Sequence, residues 1–467
     1  QNAVSPFFDA EWMFNTAEGF DIVIGNPPYI QLQKDSGKLA NLYEAQNYKS
    51  FAKTGDIYCL FYEKGCNLLN STGRLCFITS NKWMRAGYGE KLRDYFAKNV
   101  NPKLLVDFAG VKVFESATVD TNILLFEKGK NEGKTLSCTT TTLTKDGLSN
   151  LSDFVKQNSC ISNFDTFNSW VILSPIEQSI KSKIEKIGTP LKDWDINIYR
   201  GVLTGFNDAF IISGEKRDEI LANCKNEIER KKTAELIRPI LRGRDIKRYS
   251  YEYADLYLIA TFPAKHYDIE KYPAVKDYLL SFRMERLEQT GKEYTIKGEK
   301  IKARKKTNNK WFETQDSISY WDDFSKQKIV FAETMRVHRT QGADRFPRFS
   351  FVEEGFFQDK TCFMITGNDL YYILAIINSS LMNYYIHKNV AVLDTGGFLM
   401  QKIYVDCFPV PRVHEETYEK LTELSKEIVK RRKTNTDSFD LEDQVDSIVY
   451  EIFCLTDKEI RFIQENI

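Results

Sequence analysis

Over the first 130 residues, short apolar runs alternate with stretches of helical periodicity. Phe20–Gly25 (FDIVIG) is apolar and rich in β-branched residues, is closed by a glycine and is followed by two prolines. It predicts a buried parallel strand that ends in a turn. Residues 56–69 carry Ile57, Leu60, Phe61 and Leu68 at helical spacing, with Asp56 at the N-cap and Asn70-Ser71-Thr72-Gly73 as the stop. Residues 74–79 (RLCFIT) form the next strand, and 88–99 a second amphipathic helix. Residues 104–108 and 122–127 are two further strands, joined by a loop too short for a crossover helix and therefore antiparallel. The order strand, helix, strand, helix, strand, strand is that of the second half of a doubly wound sheet. The first half, with a strand leading into a Gly-rich turn, has no counterpart in residues 1–19.

Residues 130–165 are rich in Thr, Ser, Asn and Lys and read as a connector with some edge strand. Beyond Trp170 the sequence is mixed and aromatic-rich. Pro175–Ile187 has helical periodicity, and 370–389 reads as one long amphipathic helix. Residues 415–433 and 441–453 are charged helices, and Thr456-Asp457-Lys458-Glu459 is a capping box that opens a last one. The predicted class is α/β: a partial doubly wound, Rossmann-like sheet, then an α+β domain, then a C-terminal helical segment. The boundaries fall at 1–165, 166–412 and 413–467.

A chain of 467 residues exceeds one ordinary core, in keeping with several domains. Nine cysteines without a Cys-x-x-Cys pair argue for a reducing, cytoplasmic setting. His266, His338, His387 and His414 are too dispersed for a zinc site, so no metal is expected. No apolar run is long enough to span a membrane. Formal net charge is zero, which alone disfavours a nucleic-acid binder, yet the distribution is uneven. Residues 225–248 hold nine basic and four acidic side chains, and 291–310 eight basic and two acidic.

The segment with distinctive chemistry is Asn26-Pro27-Pro28-Tyr29. Ligands of doubly wound sheets sit beyond the carboxyl ends of the strands, where a strand ending at Gly25 delivers Asn26. Two prolines stiffen the turn and carry no N–H, leaving their carbonyls available to a pocket. The loop offers an amide oxygen, a rigid carbonyl and an aromatic face, which suits a flat heterocycle with an exocyclic amine. Two acceptors, the Asn26 side chain and the Pro27 carbonyl, hold both amino hydrogens and favour the charge that develops on nitrogen during attack. A base inside a duplex reaches such a pocket only by flipping out.

FDIVIGNPPY resembles the catalytic motif of adenine-N6 DNA methyltransferases, and residues 55–96 (GDIYCLFYEK onward) resemble the next helix and strand of the TaqI-type enzymes and of type IIG restriction–modification proteins. The resemblance implies S-adenosylmethionine as cofactor, with Asn26 beside it, and catalytic roles for Asn26, Pro27, Pro28 and Tyr29. It implies stacking of the flipped adenine between Tyr29 and Phe114. YRGVLTGFNDAF, ELIRPILRGRDIKRY, KIVFAETMR and GGFLMQKIYVDCFPVP resemble that family's target-recognition domain, which implies double-stranded DNA as partner. The family's cofactor fingerprint precedes the catalytic loop, so that portion, and any nuclease, is expected upstream of residue 1. A DNA-binding specificity module without catalysis of its own is the alternative.

Within the recognition segment, Arg238, Arg242, Arg244, Lys247 and Arg248 combine charge with a turn, and arginine can fork onto phosphate or guanine. The run Lys300–Lys306 is expected to grip phosphate or to form a loop. The turns at 201–210 and 395–398 contain glycine where backbone can approach DNA, with Gln401 and Lys402 just beyond.

Overall fold

A computed structural model describes the chain apart from residues 1–9, 110, 112, 115–119, 141–149, 338–344 and 394–395. His338 and Thr395 therefore lie outside the described residues. The chain forms two compact units, Gln1–Ser179 and Ile180–Ile467.

The first unit is built on a six-stranded sheet. In chain order its strands are β1 (Phe20–Gly25), β2 (Leu69–Ser80), β3 (Val100–Asp107), β4 (Thr121–Lys128), β5 (Thr135–Thr139) and β6 (Cys160–Ser162); in space they run β1-β2-β4-β3-β5-β6. β1 and β2 are parallel, with Gly25 opposite Phe77. β4 is antiparallel to both β2 and β3, as the short connection required.

One face of the sheet is covered by the helices Ile57–Leu68 and Glu90–Asn99. Their Tyr58, Cys59, Tyr62, Leu92 and Phe96 pack on Leu75, Phe77, Leu124 and Phe126. Gly65 sits mid-helix, normally a destabilising place for glycine. A Cβ there would fall 2.5 Å from Leu75 Cδ1, so close packing on β2 selects it. On another part of the sheet, Val106, Phe108 and Cys138 pack with Leu151, Phe154 and Val155 from the Leu151–Asn158 helix. The first unit continues past residue 165 because Phe164 and Trp170 stack at 4.6 Å and 16° within its core.

The apolar run of Phe20–Gly25 predicts a buried strand, while the lack of a first half of the sheet predicts an exposed edge there, and it is the exposed edge that forms. β1 is the edge strand of the sheet, and Ile22 and Ile24 are 68% and 77% exposed. An apolar run reports the capacity to be covered on both sides, not the presence of a cover.

The second unit holds two four-stranded sheets. One orders Phe349–Val352, Lys328–Ala332, Cys362–Gly367 and Ile196–Arg200, all antiparallel. The other orders Phe357–Gln358, Ile237–Leu241, Leu256–Ile259 and Ile211–Ser213.

The single helix expected over 370–389 is two helices, Leu370–Ile377 and Ser380–Asn389. Asn378 and Ser379 explain the break. The Asn378 side chain accepts from Phe349 N–H at 3.1 Å and donates to the Phe349 carbonyl at 3.0 Å, as a strand partner would. Ser379 caps the second helix by accepting from the Met382 amide.

The C-terminal helices Glu415–Lys433, Phe439–Ile452 and Asp457–Glu465 belong to this unit, and the last opens on the expected Thr456–Glu459 capping box. They are tied in by buried polar contacts. Ser380 donates from its N–H and hydroxyl to Asp446, and Glu442 collects Arg248, Arg345 and Arg432.

Candidate functional site

Asn26 stands at the carboxyl end of β1, exposed to solvent, followed by a buried Pro27 and an exposed Pro28. Tyr29 is half-buried and meets Tyr58 edge-on, with ring centroids 5.9 Å apart at 77°. The Tyr58 hydroxyl in turn lies 2.8 Å from that of Tyr88. The Tyr29 hydroxyl is buried without a hydrogen-bond partner among the described residues. Its burial, and then the Asp56 carboxylate, hold its pKa above the usual tyrosine value.

The chain leaving the loop is latched to the start of the Ile57–Leu68 helix. Ile57 donates to the Ile30 carbonyl and Leu32 to that of Gly55, both at 2.9 Å. The Asp56 carboxylate accepts from the Ile30 amide at 2.8 Å. Asp56 stands at the N-cap as expected, yet makes no side-chain cap bond by geometry. Its pKa is raised by burial, opposed by the Ile30, Tyr58 and Ile57 amides and by Lys34. The residue was legible as a helix start; its hold on the loop was not, because that depends on two segments 26 residues apart in sequence.

Tyr29, Gln31, Lys34, Thr54, Gly55, Asp56, Ser80, Lys82 and Tyr88 line a cleft of about 340 Å³. That is room for a nucleoside-sized group. Behind it, Asn122 is fully buried and accepts from Trp83 Nε1 and Thr79 Oγ1, each at 3.1 Å. Asp107 accepts from Asn81 at 2.8 Å, and burial raises its pKa. Phe114 is half-buried beyond the carboxyl end of β3 and does not line this cleft.

In the second unit the expected DNA-contact residues separate. Arg242, Arg244 and Lys247 line a cleft of about 600 Å³, together with Asn207, Glu333, Thr334, Arg336, Arg348, Asp359 and Thr361. Arg242 is committed to Asp245: its Nε and Nη2 donate to the two carboxylate oxygens at 2.9 and 2.8 Å, which shapes the Gly243–Asp245 turn. Arg244 projects from that turn into solvent. Lys247 is half-buried, 3.6 Å from Glu252.

Arg248 is 2% exposed, donating to Glu442 at 2.6 Å and to the Pro347 carbonyl at 2.9 Å. It holds the interior together and presents no exposed surface to a ligand. Arg238 is half-buried in the Ile237–Leu241 strand, outside the cleft. Gln401 is at the N-cap of the Lys402–Val405 helix, and the Lys402 ammonium bonds Asp406 at 2.8 Å on the surface.

Two further readings change. Within the Lys300–Lys306 run, Arg304 is buried and its guanidinium donates to the carbonyls of Leu287, Thr204, Glu313 and Trp311. Gly201 serves close approach to the Asp359 backbone rather than to an external ligand: any Cβ there would collide with the Asp359 carbonyl. Sequence reasoning passed over Arg336, Arg348 and Asn207, which become neighbours of the Arg244 turn only through the sheet.

Residues 2–114 match the model of the Eco57I restriction-modification methylase family, and 238–410 that of the TaqI-like C-terminal specificity domain. The first match contains the Asn26–Tyr29 loop and Phe114, the second every basic residue singled out above. The chain is 23% identical over 480 residues to the type II methyltransferase M.BstVI of Geobacillus stearothermophilus, covering 97% of this chain and 77% of that protein. It is 26% identical over 259 residues to the type II restriction enzyme and methyltransferase RM.Eco57I of Escherichia coli, covering 53% of this chain and 25% of that protein. Among solved structures, the type IIL restriction-modification enzyme MmeI, determined in complex with DNA, is similar in fold with a TM-score of 0.50 at 13% identity. That alignment covers 95% of this chain and 56% of MmeI.

Proposed function

Taking the chain as a restriction-modification methylase segment joined to a TaqI-like specificity domain, we propose that it handles the target base and recognises the site in a DNA adenine-N6 methyltransferase. The observation that carries this reading is Asn26-Pro27-Pro28-Tyr29 at the carboxyl end of β1, beside a polar cleft. In this reading the Asn26 side-chain oxygen and the Pro27 carbonyl accept the two N6 hydrogens. They draw the nitrogen lone pair out of ring conjugation and stabilise the positive charge that builds up as N6 attacks. Tyr29 stacks on the flipped adenine, its ring angle set by Tyr58, while Phe114, the opposite wall that the family resemblance implies, stands outside the cleft.

S-adenosylmethionine, when bound, supplies an electrophilic methyl on a sulfonium. The residues present fit one end of it. Asn26, exposed at the carboxyl end of β1, would hold that end, since an uncharged acceptor suits a cation. The adenosyl end finds no counterpart: the outer edge of β1 is bare among the described residues, with no Gly-rich turn beside it. That edge also favours a second reading, a DNA-binding specificity module without catalysis of its own.

The test is Asn26→Ala in the complete protein. Adenine methylation is expected to be lost while duplex binding persists. Near-normal turnover in that variant overturns the mechanism, and lost binding with intact methylation of short substrates overturns the division of labour.

A further inference from the structure

The 600 Å³ cleft of the second unit is built to present donors. Thr361 ties its two walls together. The Thr361 hydroxyl accepts from the Gly243 amide at 2.9 Å on one side, and its carbonyl accepts from the Glu333 amide at 2.7 Å on the other. The first wall is the Gly243–Asp245 turn, fixed by the Arg242–Asp245 fork. The second is the chain from Glu333 to Arg336. Its Thr334–Met335 strand pairs with Phe398–Leu399, and the Arg336 carbonyl accepts from Arg348 at 2.7 Å. Gly397 lies against Arg336, where a Cβ would come within 3.0 Å of its Cγ. Both walls are therefore rigid.

Several of the side-chain acceptors in the cleft are already engaged. Both Glu333 oxygens take Arg200, at 3.0 and 2.8 Å. Asp359 takes the Thr361 amide and hydroxyl. The Asn207 side-chain oxygen takes the Thr204 hydroxyl at 2.6 Å, which leaves its amide N–H₂ outward. Arg244 and Arg336 are exposed, and among the described residues neither guanidinium has a hydrogen-bond or ion-pair partner. The cleft thus offers two free forks and an amide donor to a ligand of paired acceptors.

We propose that this cleft reads guanine in the major groove, with Arg244 and Arg336 each forking onto the O6 and N7 of a guanine. This rests on the reading of residues 238–410 as a DNA specificity domain. Phosphate oxygens have the same acceptor chemistry, and the salt dependence of the variants separates the two ligands. Rigid mounting suits base readout, which demands direction, more than charge neutralisation, which does not.

The test is selection of bound duplexes from a randomised library by the full chain, followed by titrations of the selected duplex at several salt concentrations. Arg336→Lys and Arg244→Lys keep the charge and lose the fork. Each is expected to lose about tenfold to hundredfold preference at one guanine, with affinity for non-specific DNA and the salt slope retained. Replacing that guanine by 7-deazaguanine is expected to weaken wild type about tenfold and leave the matching lysine variant unchanged.

If both Arg→Ala variants keep the wild-type motif, the cleft is not the reader, while DNA recognition by the domain stands. If Arg→Ala weakens all sequences equally and lowers the salt slope by about one, the arginines hold phosphate and the proposal falls. If wild type selects no motif, both the proposal and the recognition role of the domain fall. None of these readouts depends on methylation, so they stand apart from the Asn26 test.

Discussion

Glu442→Gln tests how the C-terminal helices are held to the rest of the second unit. Glu442 is 1% exposed, and its two oxygens accept from Arg248, Arg345, Arg432 and the Ser438 hydroxyl. Burial pushes its carboxyl up, but the charges of Arg248 and Arg345 and the bonds from Arg432 and Arg248 prevail and bring it down to about 2, from an ordinary 4.5. At roughly 1.4 kcal/mol per pH unit, that lowering is worth about 3 kcal/mol to the folded state. Glutamine keeps the shape but leaves an interior Arg248 facing two like charges, a change that typically costs about 3–5 kcal/mol.

The two routes agree on a loss near 3 kcal/mol. This is measurable as a lower urea midpoint, or as a fall in Tm of roughly 6–12 °C for a unit of this size. The sign with pH is definite. A carboxyl depressed on folding stabilises above its unfolded pKa, and that contribution fades as pH falls from 4.5 toward 2. Asp446, whose carboxyl burial raises, acts in the opposite sense and is common to both proteins. The difference between wild type and Glu442→Gln is therefore full at pH 7 and shrinks below pH 4.5. A difference under about 1 kcal/mol at neutral pH, or one that ignores pH, refutes the argument.

Asp56→Ala removes the acceptor of the Ile30 amide, so hydrogen exchange at Ile30 is expected to quicken at least ~10-fold, for a lost bond of about 1.5 kcal/mol. Asp56→Asn keeps an acceptor and should exchange as wild type; equal protection in all three denies the latch. Lys328 is fully buried, with its amine donating to the Phe324 and Lys326 carbonyls, and burial brings its pKa down to about 7. Between pH 7 and 10.5 the unfolded chain holds the extra proton, so stability rises with pH there, by up to ~1.4 kcal/mol per unit. Lys328→Met should abolish that rise in urea titrations at pH 7 and 9; an unchanged slope assigns it to other groups.

Local pattern carried much of the fold. Phe20–Gly25 as a strand, Pro175–Ile187 as a helix and the Thr456–Glu459 capping box were all legible, because each is written within one or two turns of chain. The antiparallel β3–β4 pair followed from a connection too short for a crossover. The helix over 370–389 was misjudged at Asn378 and Ser379, whose competing bonds run to Phe349 and Met382.

By itself the sequence determined the class of the sheet, the Asn-Pro-Pro-Tyr loop at its strand end and the basic character of residues 225–248. These rest on periodicity, on proline's fixed backbone and on residue type, which are written along the chain itself. Only the tertiary structure decided what each charge is for. Arg242, Arg244 and Arg248 lie within seven residues of one another, yet one braces a turn, one faces solvent and one is sealed against Glu442. A guanidinium's free energy depends on which carboxylates and how much water surround it, and those are set by segments far away in the chain. The same holds for β1, whose composition suits an interior strand but whose position in the sheet leaves Ile22 and Ile24 in solvent.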